Sequence, residues 1–118
     1  MHSVLVVEDN EDIRELLRAL LELEGYAVVT AANGHQGLER LRAMEHPSAI
    51  LLDLMMPLMS GEQFLQIKNL DPELAAVPVI VVTAGFPPRE LTGAQEVVRK
   101  PLDFEILRAK LHDYCSAS

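Results

Sequence analysis

The chain has 118 residues, of which 49% are apolar, and its 18 acidic and 10 basic side chains give a net charge of −8. This length fits one compact domain, and the composition predicts a hydrophobic core rather than a disordered chain. The acidic balance argues against contact with a nucleic-acid backbone, and no apolar run is long enough to span a bilayer. A single cysteine and the absence of a secretory signal favour the cytoplasm, so we expect one cytoplasmic domain over residues 1–118.

Five short runs rich in apolar and β-branched residues alternate with amphipathic stretches along the chain. The runs are residues 4–7, 27–31, 49–52, 79–82 and 96–99. Several of them are continuously apolar, which is typical of parallel strands that are covered on both faces. The alternation predicts an α/β fold, a single doubly wound parallel sheet of five strands with helices on both faces.

Helices are predicted where a polar capping residue precedes apolar residues at helical spacing. The capping residues are Asn10, Asn33, Ser60 and Asp103, and Gln63 completes a capping box with Ser60. The apolar positions that follow these caps are Ile13, Leu16, Leu17, Leu20, Leu23, Leu38, Leu41, Phe64, Leu65, Ile67, Leu70, Ile106, Leu107 and Leu111.

The connection between the fourth and fifth strands is unusually short. It consists of residues 84–95 and includes Pro87 and Pro88. A parallel crossover needs about a dozen residues or more, usually with a helix. We therefore expect the helix of this crossover, the fourth helix in the alternation, to be short or missing.

Polar side chains follow four of the five predicted strands. Glu8 and Asp9 follow the first strand, Asp53 ends the third, Thr83 follows the fourth and Lys100 follows the fifth. Ligands of open parallel sheets bind beyond the carboxyl ends of the strands, so these side chains should converge at one edge. Three converging carboxylates repel one another and should either hold a proton or bind a cation, and oxygen ligands suit Mg²⁺.

A carboxylate in this setting can attack phosphorus and form an acyl phosphate. Phosphoryl transfer then requires neutralisation of charge and correct positioning. Lys100 can place a point charge on a phosphate oxygen, and Thr83 can donate a hydroxyl hydrogen bond. The alternative is that Glu8 and Asp9 only favour the start of a helix. The other polar residues at the same edge make that alternative less favoured.

The sequence resembles the receiver domains of bacterial response regulators along essentially its whole length. The matching motifs are Val-Val-Glu8-Asp9-Asn10, Leu-Leu-Asp53-Leu-Met-Met-Pro57-Leu-Met-Ser-Gly61, Val-Val-Thr83-Ala84 and Lys100-Pro101. The resemblance implies the strand order 2-1-3-4-5. It also implies that Asp53 accepts a phosphoryl group from a histidine kinase or a histidine phosphotransfer protein. Lys100 would contact that phosphoryl group, and Thr83 would move toward it as the conformational switch.

The resemblance further implies a metal site and a signalling role. Asp9, Asp53 and the backbone carbonyl of Met55 would hold Mg²⁺, with Mn²⁺ or Ca²⁺ as substitutes, and Glu8 would act through water. Phosphorylation would change the conformation and regulate a downstream protein or a fused output domain. The chain would catalyse only its own phosphorylation and dephosphorylation at Asp53.

The sequence departs from this family at one place that matters for output. Receiver domains commonly carry an aromatic residue three positions before the lysine, and that residue is Val97 in this chain. Valine cannot perform an aromatic rotation, and the fourth crossover is short. We therefore expect an atypical output mechanism, in which phosphorylation reorganises residues 84–95 and Phe86 is a candidate substitute for the aromatic residue.

Three other classes of protein stay open at this point. A phosphatase of the haloacid dehalogenase type would need a second aspartate two residues after the nucleophile, where this chain has Met55. A flavodoxin-like FMN carrier would need a phosphate-binding loop rich in glycine and hydroxyl groups after the first strand, where the loop here is acidic. A binding module that keeps the fold without phosphorylation is the third alternative.

Overall fold

The computed structural model describes residues 2–54, 59–83, 94–99 and 103–116, and these residues form five strands and four helices. In chain order these elements are β1 (Ser3–Val7), α1 (Glu11–Leu23), β2 (Ala27–Ala31), α2 (Gly34–Ala43), β3 (Ala49–Asp53), α3 (Gly61–Leu70), β4 (Val79–Thr83), β5 (Glu96–Arg99) and α4 (Phe104–Ser116). Each predicted strand is confirmed to within one residue at each end. The apolar runs mark the strands well because these strands are buried.

The strands form one parallel sheet in the order β2-β1-β3-β4-β5, which confirms the strand order that the resemblance implies. Strands β1 and β3 are therefore neighbours at the centre, although a strand and two helices separate them in sequence. In the register, Asp53 lies opposite Val82, and Thr83 lies opposite Arg99. The carboxyl ends of β1, β3 and β4 consequently meet at the same edge.

Two hydrophobic clusters cover the two faces of the sheet. One packs Leu38 of α2 and Phe64 of α3 against strand residues such as Ile50. The other packs Leu21 of α1 and Leu107 of α4 against the opposite face. This arrangement confirms the prediction of helices on both faces and explains why the central strands alternate between two apolar surroundings.

The predicted capping residues are confirmed at the helix starts. Side-chain oxygens of Asn10, Asn33 and Ser60 accept backbone N–H groups of α1, α2 and α3, at 3.0, 2.9 and 3.2 Å. The capping box of Ser60 and Gln63 is present, and Asp103 accepts the N–H of Glu105 at 3.0 Å. Each cap satisfies a donor that the first helical turn leaves without a partner.

Four of the apolar residues at helical spacing are exposed rather than packed against the sheet. The exposed positions are Leu16, Leu23, Leu70 and Ile106. On α1 the buried residues are Leu17 and Leu21, which are four residues apart and therefore lie on one stripe of the helix. A leucine-rich helix has more apolar residues than can lie on the one stripe that contacts the sheet, so some of them stay exposed.

The fourth crossover falls largely on residues 84–93, which are outside the described residues, so the prediction of a short or missing helix there stays a prediction. The helix labelled α4 is the one that the sequence predicted after Asp103. Within the described ranges, no helix combines the length and apolar character that a membrane span requires.

Candidate metal centre at the sheet edge

Three carboxylates come together where β1 and β3 end. Glu8, Asp9 and Asp53 each offer a ligand atom, and these atoms all lie within 4.8 Å of one another. Glu8 and Asp53 are buried, with 3% and 6% of their surface exposed, whereas Asp9 is exposed to solvent. The cluster is thus a partly buried group of negative charge with one open side.

Topology rather than sequence proximity creates this cluster. Glu8 directly follows β1, and its backbone N–H donates to the carbonyl of Ala31 on β2 at 3.0 Å, which continues the parallel ladder by one residue. Asp53 is the last residue of β3, the other neighbour of β1. Both carboxylates are therefore held by rigid strands of the sheet.

The loop between β1 and α1 is fixed on its helical side by two residues. The side chain of Asn10 caps α1, and the Nη1 atom of Arg14 donates to the carbonyl oxygen of Glu8 at 2.9 Å. The same atom lies 3.4 Å from the carbonyl oxygen of Asp9. Arg14 could not be recognised from the sequence, because a basic residue one turn into an otherwise acidic helix start is a weak signal.

Gly61 allows α3 to begin against the backbone that carries Asp53. Its N–H donates to the carbonyl of Leu54 at 3.0 Å. A Cβ atom at this position would lie 2.7 Å from both the carbonyl oxygen of Asp53 and the Cα atom of Leu54. Only glycine permits this approach without a shift of the backbone.

Thr83 ends β4 beside the strand that carries Asp53, and it is buried, with 3% of its surface exposed. Its neighbour in the register is Arg99, the last residue of β5, which directly precedes Lys100 in the sequence. Lys100 and Met55 lie outside the described residues. The structure therefore brings together four of the six predicted site residues, Glu8, Asp9, Asp53 and Thr83, at one edge.

The space beneath the carboxylates is small. A cavity of about 10 Å³ lies between the sheet and α1, and Glu8 and Asp53 are the polar residues of its lining. That volume corresponds to about one water molecule. The cavity is therefore too small for a phosphoryl group, whereas Asp9 is exposed to solvent.

The donor set fits a hard divalent cation. It contains carboxylate oxygens, and no histidine or cysteine of the described residues joins the cluster. Such oxygen ligands are typical of Mg²⁺, which binds through one or two carboxylates and keeps several other positions for water or phosphate oxygens. A cation would also offset the repulsion among the three carboxylates.

A protein-family model and several curated proteins are similar to this chain in sequence. The family model described as the response regulator receiver domain matches residues 4–112. Protein PilH of Pseudomonas aeruginosa is 34% identical in an alignment of 112 positions, which covers 91% of this chain and 92% of PilH. The probable transcriptional regulator ycf27 of Cyanophora paradoxa is 35% identical over 92% of this chain, which spans about half (46%) of that relative.

A solved structure agrees with these sequence matches. The response regulator protein TrrA of Thermotoga maritima, in complex with Mg²⁺ and BeF, superposes with a TM-score of 0.86 and 31% sequence identity. The superposition covers 97% of this chain and 99% of TrrA. The similarity thus extends over the whole sheet and its helices rather than over a local motif.

Proposed function

The chain belongs to the response regulator receiver domain family, and from that membership we propose that Asp53 is its phosphate acceptor. The family's function is that of a phosphoacceptor in two-component signalling. The observation that carries the assignment to Asp53 is the cluster of Glu8, Asp9 and Asp53, whose ligand atoms lie within 4.8 Å of one another. Asp53 is the member of this cluster that ends a central strand.

The proposed reaction is a direct transfer between two side chains. A carboxylate oxygen of Asp53 attacks the phosphorus of a phosphohistidine, so that an O–P bond forms, the N–P bond breaks and the imidazole leaves. The donor is a histidine kinase or a histidine phosphotransfer protein. Since the product is an acyl phosphate on the chain itself, this activity is self-phosphorylation, and later hydrolysis at Asp53 is self-dephosphorylation.

The proposed metal site would be formed by Asp9, Asp53 and the backbone carbonyl of Met55, with Glu8 acting through water. When bound there, Mg²⁺ would neutralise charge on the phosphoryl oxygens. Asp9 is the member of the cluster that is exposed to solvent. We propose the same site for Mn²⁺ and Ca²⁺, which also accept oxygen ligands.

We propose that Lys100 and Thr83 contact the phosphoryl group after transfer. Lys100 follows β5 directly and supplies a positive charge, and Thr83 is the buried hydroxyl at the end of β4. Movement of Thr83 toward the phosphoryl group would change the packing at the adjacent end of β5. Val97 on β5 is 36% exposed and is not aromatic, so we assign the conformational response to residues 84–95.

We propose that residues 1–118 form one receiver domain in the cytoplasm, without direct contact with nucleic acid or membrane. Its downstream target is either a separate protein or an output domain in the same polypeptide. Both arrangements have support among the relatives, because the chain spans nearly all of PilH but about half of ycf27.

The test uses acetyl phosphate as donor. In the presence of Mg²⁺ we expect the intact mass to increase by one phosphoryl group, and the modification to be stable to acid and labile to base. Asp53→Asn and addition of EDTA should each abolish the gain. An unmodified wild-type chain would favour a binding module without phosphorylation, and an undiminished gain in Asp53→Asn would place the acceptor elsewhere.

A second experiment tests the output. Beryllium fluoride with Mg²⁺ imitates the phosphoryl group, and amide exchange reports on each segment of the chain. We expect altered exchange at residues 84–95. Unchanged exchange there in a fully loaded protein would contradict the proposed readout.

A further inference from the structure

The guanidinium of Arg14 contacts the backbone carbonyl groups of the acidic pair Glu8 and Asp9, not their carboxylates. Arg14 lies in the first turns of α1 and is half-buried. Its Nη1 atom donates to the carbonyl oxygen of Glu8 at 2.9 Å, which is an ordinary hydrogen-bond distance, and lies 3.4 Å from that of Asp9, which is a weaker contact. One guanidinium thus reaches both residues of the acidic pair.

These contacts complete the restraint of the peptide groups at the end of β1. The N–H of Glu8 is held by the carbonyl of Ala31 at 3.0 Å, and its C=O is held by Arg14. Asp9 lies between this fixed peptide and Asn10, whose side chain caps α1. Without Arg14, residues 8–10 would still be attached to β2 and to α1. They would lose the hydrogen bonds that orient the carbonyl groups of Glu8 and Asp9.

We propose that Arg14 is a positioning residue for the metal site, which rests on the proposed function of the cluster. By holding the carbonyls of Glu8 and Asp9, it keeps the two side chains directed toward Asp53. A guanidinium suits this task because its planar group carries several donors in a fixed geometry, whereas an ammonium group is a point charge on a flexible stem. Groups that orient metal ligands contribute substantially to metal affinity although they do not touch the metal.

The positive charge of Arg14 makes the proposal testable. A positioning role and a purely electrostatic role of Arg14 predict opposite effects of its removal on Mg²⁺ affinity. If geometry matters, both Arg14→Ala and Arg14→Lys should weaken Mg²⁺ binding. If only charge matters, Arg14→Ala should bind Mg²⁺ more tightly, since a nearby positive charge repels a cation, and Arg14→Lys should resemble the wild type.

The matched control is Arg18→Ala. Arg18 lies one turn further along α1 and is exposed, with its guanidinium 2.8 Å from Glu15 and 3.8 Å from Glu22. It has the same charge on the same helix but belongs to a surface ion-pair group. Its removal should leave Mg²⁺ affinity unchanged.

The primary measurement is the dissociation constant of Mg²⁺ by calorimetry, with the full chain and no phosphodonor. We expect an increase on the order of tenfold for Arg14→Ala and for Arg14→Lys, within the range seen when groups that orient metal ligands are removed. An unchanged constant in both variants, or tighter binding in Arg14→Ala, would overturn the proposal.

Two further readouts separate positioning from loss of fold and from failure of the proposed function. In metal-free protein, amides of residues 8–10 should exchange faster in Arg14→Lys while the thermal midpoint stays near that of wild type, and unchanged exchange would count against positioning. At saturating Mg²⁺, phosphorylation of both variants by acetyl phosphate should recover most of the wild-type rate. If the wild type binds Mg²⁺ and is phosphorylated but both Arg14 variants behave like it, only the proposed role of Arg14 is refuted, and the proposed function stands. A wild type that does neither refutes the proposed function.

Discussion

At the residue scale, the acidic cluster combines two buried carboxylates with one exposed carboxylate. Carboxylates that lie close together repel one another. Glu8 and Asp53 are buried, whereas Asp9 keeps contact with water. A cation bound by the three carboxylates would offset this repulsion, which is the physical reason for proposing a metal site here.

Gly61→Ala tests how closely α3 approaches Asp53. The added Cβ would lie 2.7 Å from two backbone atoms, which cannot move without displacing the end of β3. We expect a loss of about 1–3 kcal/mol in the free energy of unfolding, as for an overpacked core, together with slower phosphorylation. Urea denaturation and acetyl phosphate labelling measure the two effects.

Gly34→Ala is the matched control, because Gly34 is likewise the first residue of a helix. The three atoms nearest to its added Cβ would all belong to the side chain of Met59, at 2.7 Å for Cγ and Sδ and 2.8 Å for Cβ. A methionine can repack more easily than backbone can move. The prediction is contradicted if Gly61→Ala costs no more stability than Gly34→Ala, or if it phosphorylates at the wild-type rate.

Thr83→Ala separates acceptance of the phosphoryl group from the response to it. Thr83 is buried at the end of β4, and it is not one of the three residues that supply the carboxylates of the cluster. We expect the variant to gain a phosphoryl group in amounts similar to the wild type but to show less than half of the amide-exchange change at residues 84–95. Thr83→Ser should keep the full change, and a full response in Thr83→Ala would disprove the switch.

At the element scale, α3 carries a buried cation that the sequence analysis did not identify. Lys68 is fully buried, and its Nζ atom donates to the carbonyl of Ala75 at 3.0 Å in the segment after the helix. Burial lowers the pKa of Lys68 below its ordinary value of 10.5. The hydrogen bond ties α3 to the connection that leads into β4, and it does so at the cost of desolvating a charge.

Lys68→Met should reveal this cost through pH. Because the folded-state pKa is lowered, the folded chain binds fewer protons than the unfolded chain between the lowered pKa and 10.5, and the stability of wild type rises with pH across that window. The cost is fully present below the folded-state pKa. We therefore expect the stability of wild type relative to Lys68→Met to increase from pH 7 to pH 10 in urea denaturation.

Lys110→Met is the control for this pH series. Lys110 lies on α4, and its ammonium is partly exposed and 3.1 Å from Glu96 on β5. Its replacement should not reproduce the trend. The proposed cost of burying the charge of Lys68 would be contradicted if the difference in free energy of unfolding between wild type and Lys68→Met stayed constant with pH. It would also be contradicted if wild type lost stability relative to Lys68→Met as the pH rose.

At the scale of the whole molecule, binding of Mg²⁺ should stabilise the fold, because the unfolded chain does not bring Glu8, Asp9 and Asp53 together. A ligand at about 100 times its dissociation constant adds roughly 2.7 kcal/mol to the free energy of unfolding. We expect the thermal midpoint to rise with Mg²⁺ concentration, and Asp9→Asn to remove most of that rise. Calorimetric scans with and without EDTA provide the measurement.

The control for Asp9→Asn is Asp12→Asn, an exposed acidic residue in the first turn of α1. It changes the net charge of −8 by the same amount, so the long-range attraction for cations falls equally in both variants. Only Asp9→Asn should lose the stabilisation. Equal losses in the two variants would mean that the effect of Mg²⁺ is one of general charge screening.

The pattern of apolar and polar residues was enough to predict the five strands, the four described helices and the kinds of side chain at the site. The strands were predictable because parallel strands covered on both faces are continuous apolar runs, and Asn10, Asn33 and Ser60 marked helix starts because each supplies an oxygen to orphan N–H groups. Asp53 and Thr83 could be placed at one edge because ligand sites of such sheets lie beyond the carboxyl ends of strands.

Which residues of an element are buried or make long-range contacts depends on how the elements pack together. Leucines along α1 are chemically equivalent in sequence, and docking against the sheet buried Leu21 while it left Leu23 exposed. The burial of Lys68 and the reach of Arg14 to two carbonyls likewise depend on how a helix is set against its neighbours. Local patterns fix where backbone hydrogen bonds form, but burial and contact between distant residues arise only when the sheet aligns β1 with β3 and brings Asp9 to Asp53.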